Sequence, residues 1–211
     1  MNRAQQIRRT MIEIATRRQR AGTGTALKGL RRRTTQRQWP DLTPILRPLP
    51  WALIGAAATR LYMPERATQD LDIAVRAKDG AAVRQKLAAA GFTYQTELTV
   101  GGSSWLSPEG LSVDVLECAE PWFAQAIMEA QQNRDAQGLP VLPFKYLVLL
   151  KFRAGRVQDV ADLARMLGQA SEVRLAEVRA LFQQWEPDGL EDLESLITLG
   201  QLELEQRGEM G

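Results

Sequence analysis

The sequence predicts an α+β protein. A mixed β-sheet with flanking helices is followed by a helical C-terminal half and preceded by a basic helical arm. Three observations carry this. Short apolar strands separated by Gly-containing turns fill the stretch from 51 to 116. From about residue 121 the apolar spacing changes to the three-and-four pattern of amphipathic helices. Residues 1–38 hold eleven Lys/Arg and a single acid, Glu13. The expected divisions are an arm at 1–38, an α/β core at 39–142 and a helical subdomain at 143–211.

Taken in order, residues 2–20 place Ile7, Met11, Ile14 and Ala15 on a narrow apolar stripe of an otherwise basic helix. The run Ala21-Gly22-Thr23-Gly24-Thr25 interrupts it. Pro40, Pro44, Pro48 and Pro50 predict an extended linker into the main domain. Residues 51–55 read as a strand and 56–63 as a short helix that Pro64 ends. Residues 70–76 read as a strand, and 81–90 as a helix closed by Gly91. Strands at 92–98 and 103–106 flank a turn at Gly101-Gly102, and 111–116 is a further strand with Asp114 at its centre. Helices are expected at 121–132, 144–154, 157–167, 172–184 and 189–206.

Composition narrows the chemistry. The chain has 211 residues, 45% hydrophobic and 25% charged, which is ordinary for a globular protein. No apolar run reaches the ~18 residues of a membrane span. The single cysteine, Cys118, excludes an internal disulfide and suits a reducing, cytoplasmic setting. Histidine is absent, which excludes Ser-His-Asp and Cys-His catalysis and His-ligated zinc. Carboxylates, Lys, Arg, hydroxyls and a hard cation such as Mg²⁺ remain.

Charge is unevenly spread. The arm carries +10 against +2 overall, leaving −8 for the rest. Residues 186–211 hold eight acids and one arginine, Arg207. The arm therefore fits a nucleic-acid contact, or docking on the acidic tail within the chain or across a homodimer.

The candidate site begins with Asp70 and Asp72. Two residues apart on a strand, both carboxylates share one face while Leu71, Ile73 and Val75 take the other. Paired carboxylates repel unless a cation lies between them, so the pair is a candidate metal site. Upstream, Ile54-Gly55-Ala56 is a strand running into a glycine and a helix start, where backbone N–H groups can meet phosphate. Asp114 has the opposite parity to Val113 and Val115. It joins the other two acids if its strand lies beside theirs.

Gly55-Ala56, thirteen residues, Asp70-Leu71-Asp72 and then Asp114 resemble the nucleotidyltransferase superfamily of the polymerase-beta-type fold. Arg66-Ala67-Thr68, Leu139-Pro140-Val141, Leu149-Leu150-Lys151, Gly155-Arg156 and the span Asp159 to Asp162 make it similar to bacterial minimal and abortive-infection-type nucleotidyltransferases. The resemblance covers about residues 50–167. It implies transfer of NMP from an NTP, with Mg²⁺ or Mn²⁺, onto a hydroxyl of RNA (tRNA among them), protein or a small molecule. A toxin–antitoxin role goes with it. It also implies that Gly55 starts the phosphate-binding turn, with Ala56, Arg66 and Lys151 at the nucleotide. Asp70 and Asp72 would hold metal, and Asp114 would be third ligand or general base. Lys151 would meet the triphosphate, and Asp159 would complete the site. Ala56 stands where the family carries Gly or Ser; Thr59, one turn on, is the candidate substitute hydroxyl.

Plainer readings stand beside these. Asp70 reads equally as a turn residue, Asp72 as a solvent-facing carboxylate, and Arg66 as the partner of a nearby acid. Lys151 sits in an apolar helix, from which its ammonium either snorkels to the surface or enters the cleft. Arg156, Asp159 and Asp162 have helix ion-pair spacing. The alternative functions are a catalytically degenerate binding or assembly module, motivated by Ala56, and a nucleic-acid-binding protein acting through residues 1–38.

Overall fold

The computed structural model describes residues 3–18, 38–63 and 68–208. These form two compact units. One comprises 38–61 and 68–143; the other comprises 3–18, 62–63 and 144–208.

The α/β unit is built on a five-stranded sheet: β1 Ala52–Leu53, β2 Leu71–Arg76, β3 Thr93–Glu97, β4 Gly102–Leu106 and β5 Ser112–Cys118, in the order β1-β2-β5-β4-β3. β2 and β5 are parallel; β1–β2, β5–β4 and β4–β3 are antiparallel. The mixed sheet follows from the connections. The turn at Gly101-Gly102 joins β3 to β4 as neighbours, whereas β2 reaches β5 only after a helix and a hairpin intervene. Apolar alternation sets the faces: Val113 and Val115 are buried while Ser112, Asp114 and Leu116 are half-buried. Leu71, Ile73 and Val75 are fully buried. β3 is the exposed edge, and its last residue, Glu97, accepts hydrogen bonds from Arg84.

The proline-rich stretch is not an extended linker. Trp39, Leu42 and Leu46 are buried, and Thr43–Leu46 forms a one-turn helix (α2) with its proline in the first turn. Pro44 costs nothing at that position, where its missing N–H has no helical partner anyway. The apolar spacing from 42 to 46 then anchors the segment. Two more helices flank the sheet, α4 Gly80–Ala89 and α5 Phe123–Ala130; the short α3, Gly55–Thr59, belongs to the site.

The helical unit contains α1 Arg3–Arg18, α6 Phe144–Ala154, α7 Val157–Gly168, α8 Glu172–Trp185 and α9 Leu190–Gly208. Phe152 of α6 meets Phe182 of α8 edge to face, centroids 4.8 Å apart. α1 packs on α7 and α9, with Ile12 buried and Arg9 pairing with Glu191 and Asp192. This part of the basic arm is therefore engaged by acidic residues of the C-terminal segment within one chain. The arm's remaining arginines beyond α1 fall outside the described residues. Among the described residues no helix is long and apolar enough to cross a membrane.

α7 and α9 approach most closely at two glycines. A Cβ on Gly200 would lie 2.0 Å from the Ala164 carbonyl oxygen, and one on Gly168 would lie 2.3 Å from the Gly200 carbonyl carbon. Alanine has the better helix propensity by roughly 0.5–1 kcal/mol, but overpacking costs about 1–3 kcal/mol, so the clash wins. Gly200→Ala is expected to lower the unfolding free energy by about 1–2 kcal/mol in urea denaturation, where an unchanged midpoint would contradict so tight a crossing.

Candidate functional site

The parallel register of β2 and β5 sets Asp72 opposite Asp114. Side chains of paired residues on neighbouring strands point to one face, so the two carboxylates stand side by side about 5 Å apart at the backbone. The same row continues to Ser104, which pairs with Asp114 on β4, and to Thr96, which pairs with Ser104 on β3. A polar row thus crosses four strands. Ser104 was missed from the sequence, because only knowledge of which strand neighbours β5 brings it beside Asp114.

On its other flank Asp72 lies against Gly55. The Ile54 N–H donates to the Asp72 carbonyl at 3.0 Å, and the chain then turns into α3 at Gly55, whose φ is +61°. A Cβ at Gly55 would fall 1.9 Å from Asp72 Oδ2. Glycine is required here twice over, for the left-handed backbone and for the space the carboxylate fills. The resulting arrangement is a carboxylate seated on the first turn of a helix, with a second carboxylate beside it.

Asp70 lies in the bend just before β2 and is exposed. Strand alternation therefore does not aim it, and it is not one of the paired residues. Among the described residues no group of three or more His, Cys, Asp or Glu gathers closely enough to hold a metal ion. The two acids that the strand register pairs, Asp72 and Asp114, are hard carboxylate donors. That fits Mg²⁺ or Mn²⁺, because Mg²⁺ is typically held by one or two carboxylates and completed by substrate phosphates and water.

Ala56 is 4% exposed, directly after Gly55. Thr59 does not supply the missing hydroxyl at the surface: it is fully buried and donates to the Ala56 carbonyl at 2.7 Å. Its apolar neighbours on the short helix turn it into the core. Arg66 lies outside the described residues.

Lys151, Asp159 and Asp162 come together in the helical unit. The Lys151 ammonium is buried and donates to Asp159 Oδ1 at 3.3 Å and Asp162 Oδ2 at 2.9 Å. Gln158 donates to the other Asp162 oxygen at 3.2 Å, and Arg156 Nε to Asp159 Oδ2 at 2.7 Å. The expected exit of Lys151 into a cleft is thus corrected: the ammonium finds its polar partners inside, on the next helix. Trp105 and Trp122 are buried, and Tyr94 packs edge-on against Trp105 with ring centroids 5.6 Å apart.

No protein-family model matches the sequence, and no curated protein matches it. Among solved structures the chain is similar to the crystal structure of ANT(2'')-Ia in complex with adenylyl-2''-tobramycin. Identity is 15% and the TM-score 0.41, covering 78% of this chain and 91% of that one. The solution structure of the antibiotic-resistance factor ANT(2'')-Ia is similar at 17% identity and a TM-score of 0.41, covering 81% and 96%. A Thermotoga maritima protein described as a nucleotidyltransferase is similar at 14% identity and a TM-score of 0.39, covering 61% and 91%.

Two outcomes follow from the geometry. Gly55→Ala should cost about 1–3 kcal/mol in thermal unfolding through strained backbone and displacement of Asp72; a stable variant would show that the close approach is not required. Lys151→Met leaves two buried carboxylates facing each other and should cost about 3–5 kcal/mol by urea denaturation, whereas a surface lysine would cost next to nothing.

Proposed function

We propose that this chain is a divalent-metal-dependent nucleotidyltransferase, moving an NMP from an NTP to a hydroxyl of RNA, protein or a small molecule. The observation that carries the reading is the Asp72–Asp114 pair in register on parallel strands, with Asp72 seated against Gly55. The spacing of Gly55, Asp70, Asp72 and Asp114 in the sequence supports the same reading.

In this mechanism Asp72 and Asp70 would hold Mg²⁺ or Mn²⁺, with Asp114, beside Asp72 in register, as third ligand or general base. When bound, the ion neutralises the triphosphate and the departing pyrophosphate. Asp114 accepts the proton of the acceptor hydroxyl. The acceptor oxygen attacks the α-phosphorus, and the bond from that phosphorus to the oxygen bridging to the β-phosphate breaks, releasing pyrophosphate. The turn at Gly55 brings backbone close to the phosphates, since no side chain intervenes. Lys151 and Asp159, paired to each other inside the helical unit, serve as its internal brace. The arm at 1–38 is the element suited to an RNA acceptor such as tRNA, and a toxin of a toxin–antitoxin pair is the biological role that goes with the resemblance to abortive-infection-type nucleotidyltransferases.

A second reading is favoured by Ala56, which has no hydroxyl, and by the absence of a three-ligand cluster among the described residues. It takes the fold as a binding or assembly module without catalysis. Calorimetry with each NTP and Mg²⁺ or Mn²⁺ separates the two, because only the first requires metal-dependent nucleotide binding.

The decisive experiment incubates the protein with each labelled NTP, total RNA and total protein. Asp72→Asn and Asp114→Asn are expected to lower transfer by at least ~10²-fold while the unfolding midpoint stays put or rises. Transfer by both variants at the rate of the parent protein would sink the proposal.

A further inference from the structure

The α/β unit holds a second polar feature that the carboxylate pair does not use. A cavity of about 480 Å³ opens beside the segment that runs from α2 into β1. Its lining includes Arg47, Arg76 and Arg134, together with Trp51, Pro50 and Met128, and it includes no acidic residue. Small-molecule pockets span roughly 300–1,000 Å³ and combine apolar walls with a few convergent polar groups, a description this cavity meets.

The three guanidiniums differ in how their charge is met. Arg76 pairs with Asp79. Arg134 donates to the carbonyls of Gln131 at 3.1 Å and Gly138 at 2.8 Å, which position the group but carry no net charge to cancel its own. Arg47 is exposed, and its side chain has no hydrogen-bond or ion-pair partner among the described residues. At least two positive charges therefore face one cavity uncompensated by the described residues. Cations do not gather without cause, because each repels the others; an anion between them removes that cost. Guanidinium forks suit phosphate in particular, through paired N–H donors. The apolar wall of Trp51, Pro50 and Met128, with Met128 57% exposed, supplies a surface for an organic group attached to that phosphate.

The cavity is separate from the carboxylate pair. Arg76 lies four residues beyond Asp72 on β2, about 13 Å along the strand.

We propose that this cavity is a binding site for a phosphate-bearing organic anion of nucleoside-monophosphate size, distinct from the Asp72–Asp114 site and independent of divalent metal. The inference does not rest on the proposed activity. The test uses the full chain with ¹³C-labelled methionine methyls, in EDTA so that no metal-dependent site is filled. AMP, inorganic phosphate and adenosine are titrated separately. AMP is expected to shift the Met128 methyl resonance and to bind more tightly than either fragment. Arg47→Glu and Arg134→Gln are each expected to weaken AMP binding about tenfold. Arg47→Glu breaks no contact among the described residues, so its unfolding midpoint should match the parent, and added salt should weaken binding in the parent more than in this variant. Absence of any Met128 shift at millimolar AMP overturns the proposal, as does unchanged affinity in Arg47→Glu. Equal affinity for phosphate and AMP overturns the organic part of the assigned ligand.

Discussion

The candidate site depends on one pairing, the parallel contact of β2 with β5. It sets Asp72 beside Asp114, two acids on one face of the sheet whose negative charges repel. A fold gains nothing in stability from such an arrangement. It is retained alongside a glycine that yields its own side-chain space to one of the two carboxylates. Remove either feature and the sheet would still have its apolar alternation of Val113, Val115, Leu71 and Ile73. The packing of the core and the chemistry of the opposite face are thus written on alternate residues of the same two strands.

The helical unit handles charge differently. Its buried Lys151 is met by two carboxylates, one of which also accepts from Arg156 and the other from Gln158. Every charge in that cluster has a partner, as burial demands. On β2 and β5 the register instead sets two acids, Asp72 and Asp114, side by side on one face of the sheet. The lysine cluster is thus internally compensated architecture, in keeping with the helix ion-pair spacing of Arg156, Asp159 and Asp162. In the cavity beside Trp51 the sign is reversed, with arginines gathered and acids absent from the lining. Arg47 and Arg134 meet no acidic side chain there among the described residues, and an anionic ligand would supply the negative charge.

Most elements were legible because their signals are local. The helices at 144–154 and 157–168 follow from apolar spacing and from Gly155 between them, and the hairpin of β3 and β4 follows from Gly101-Gly102. The stretch from Trp39 to Pro50 departs from its expected extended form for the opposite reason. Four prolines suggest an extended linker, but the burial of Trp39, Leu42 and Leu46 is a tertiary fact that overrides the local preference. Asp70 shows the limit at one residue: the strand begins at Leu71, so the alternation that aims Asp72 stops short of it.

By itself the sequence determined the residue types available, the absence of histidine, the parity of Asp72 and Asp114 within their strands, and the glycine at 55. Periodicity and composition act over a few residues, and those features need no more than that. Only the tertiary structure decided that β2 neighbours β5, that Ser104 joins their row, that Thr59 turns inward and that Lys151 stays buried with Asp159 and Asp162. Each of these joins residues distant along the chain or depends on what a side chain packs against. Strand order and burial are set by the whole core, which no local window contains.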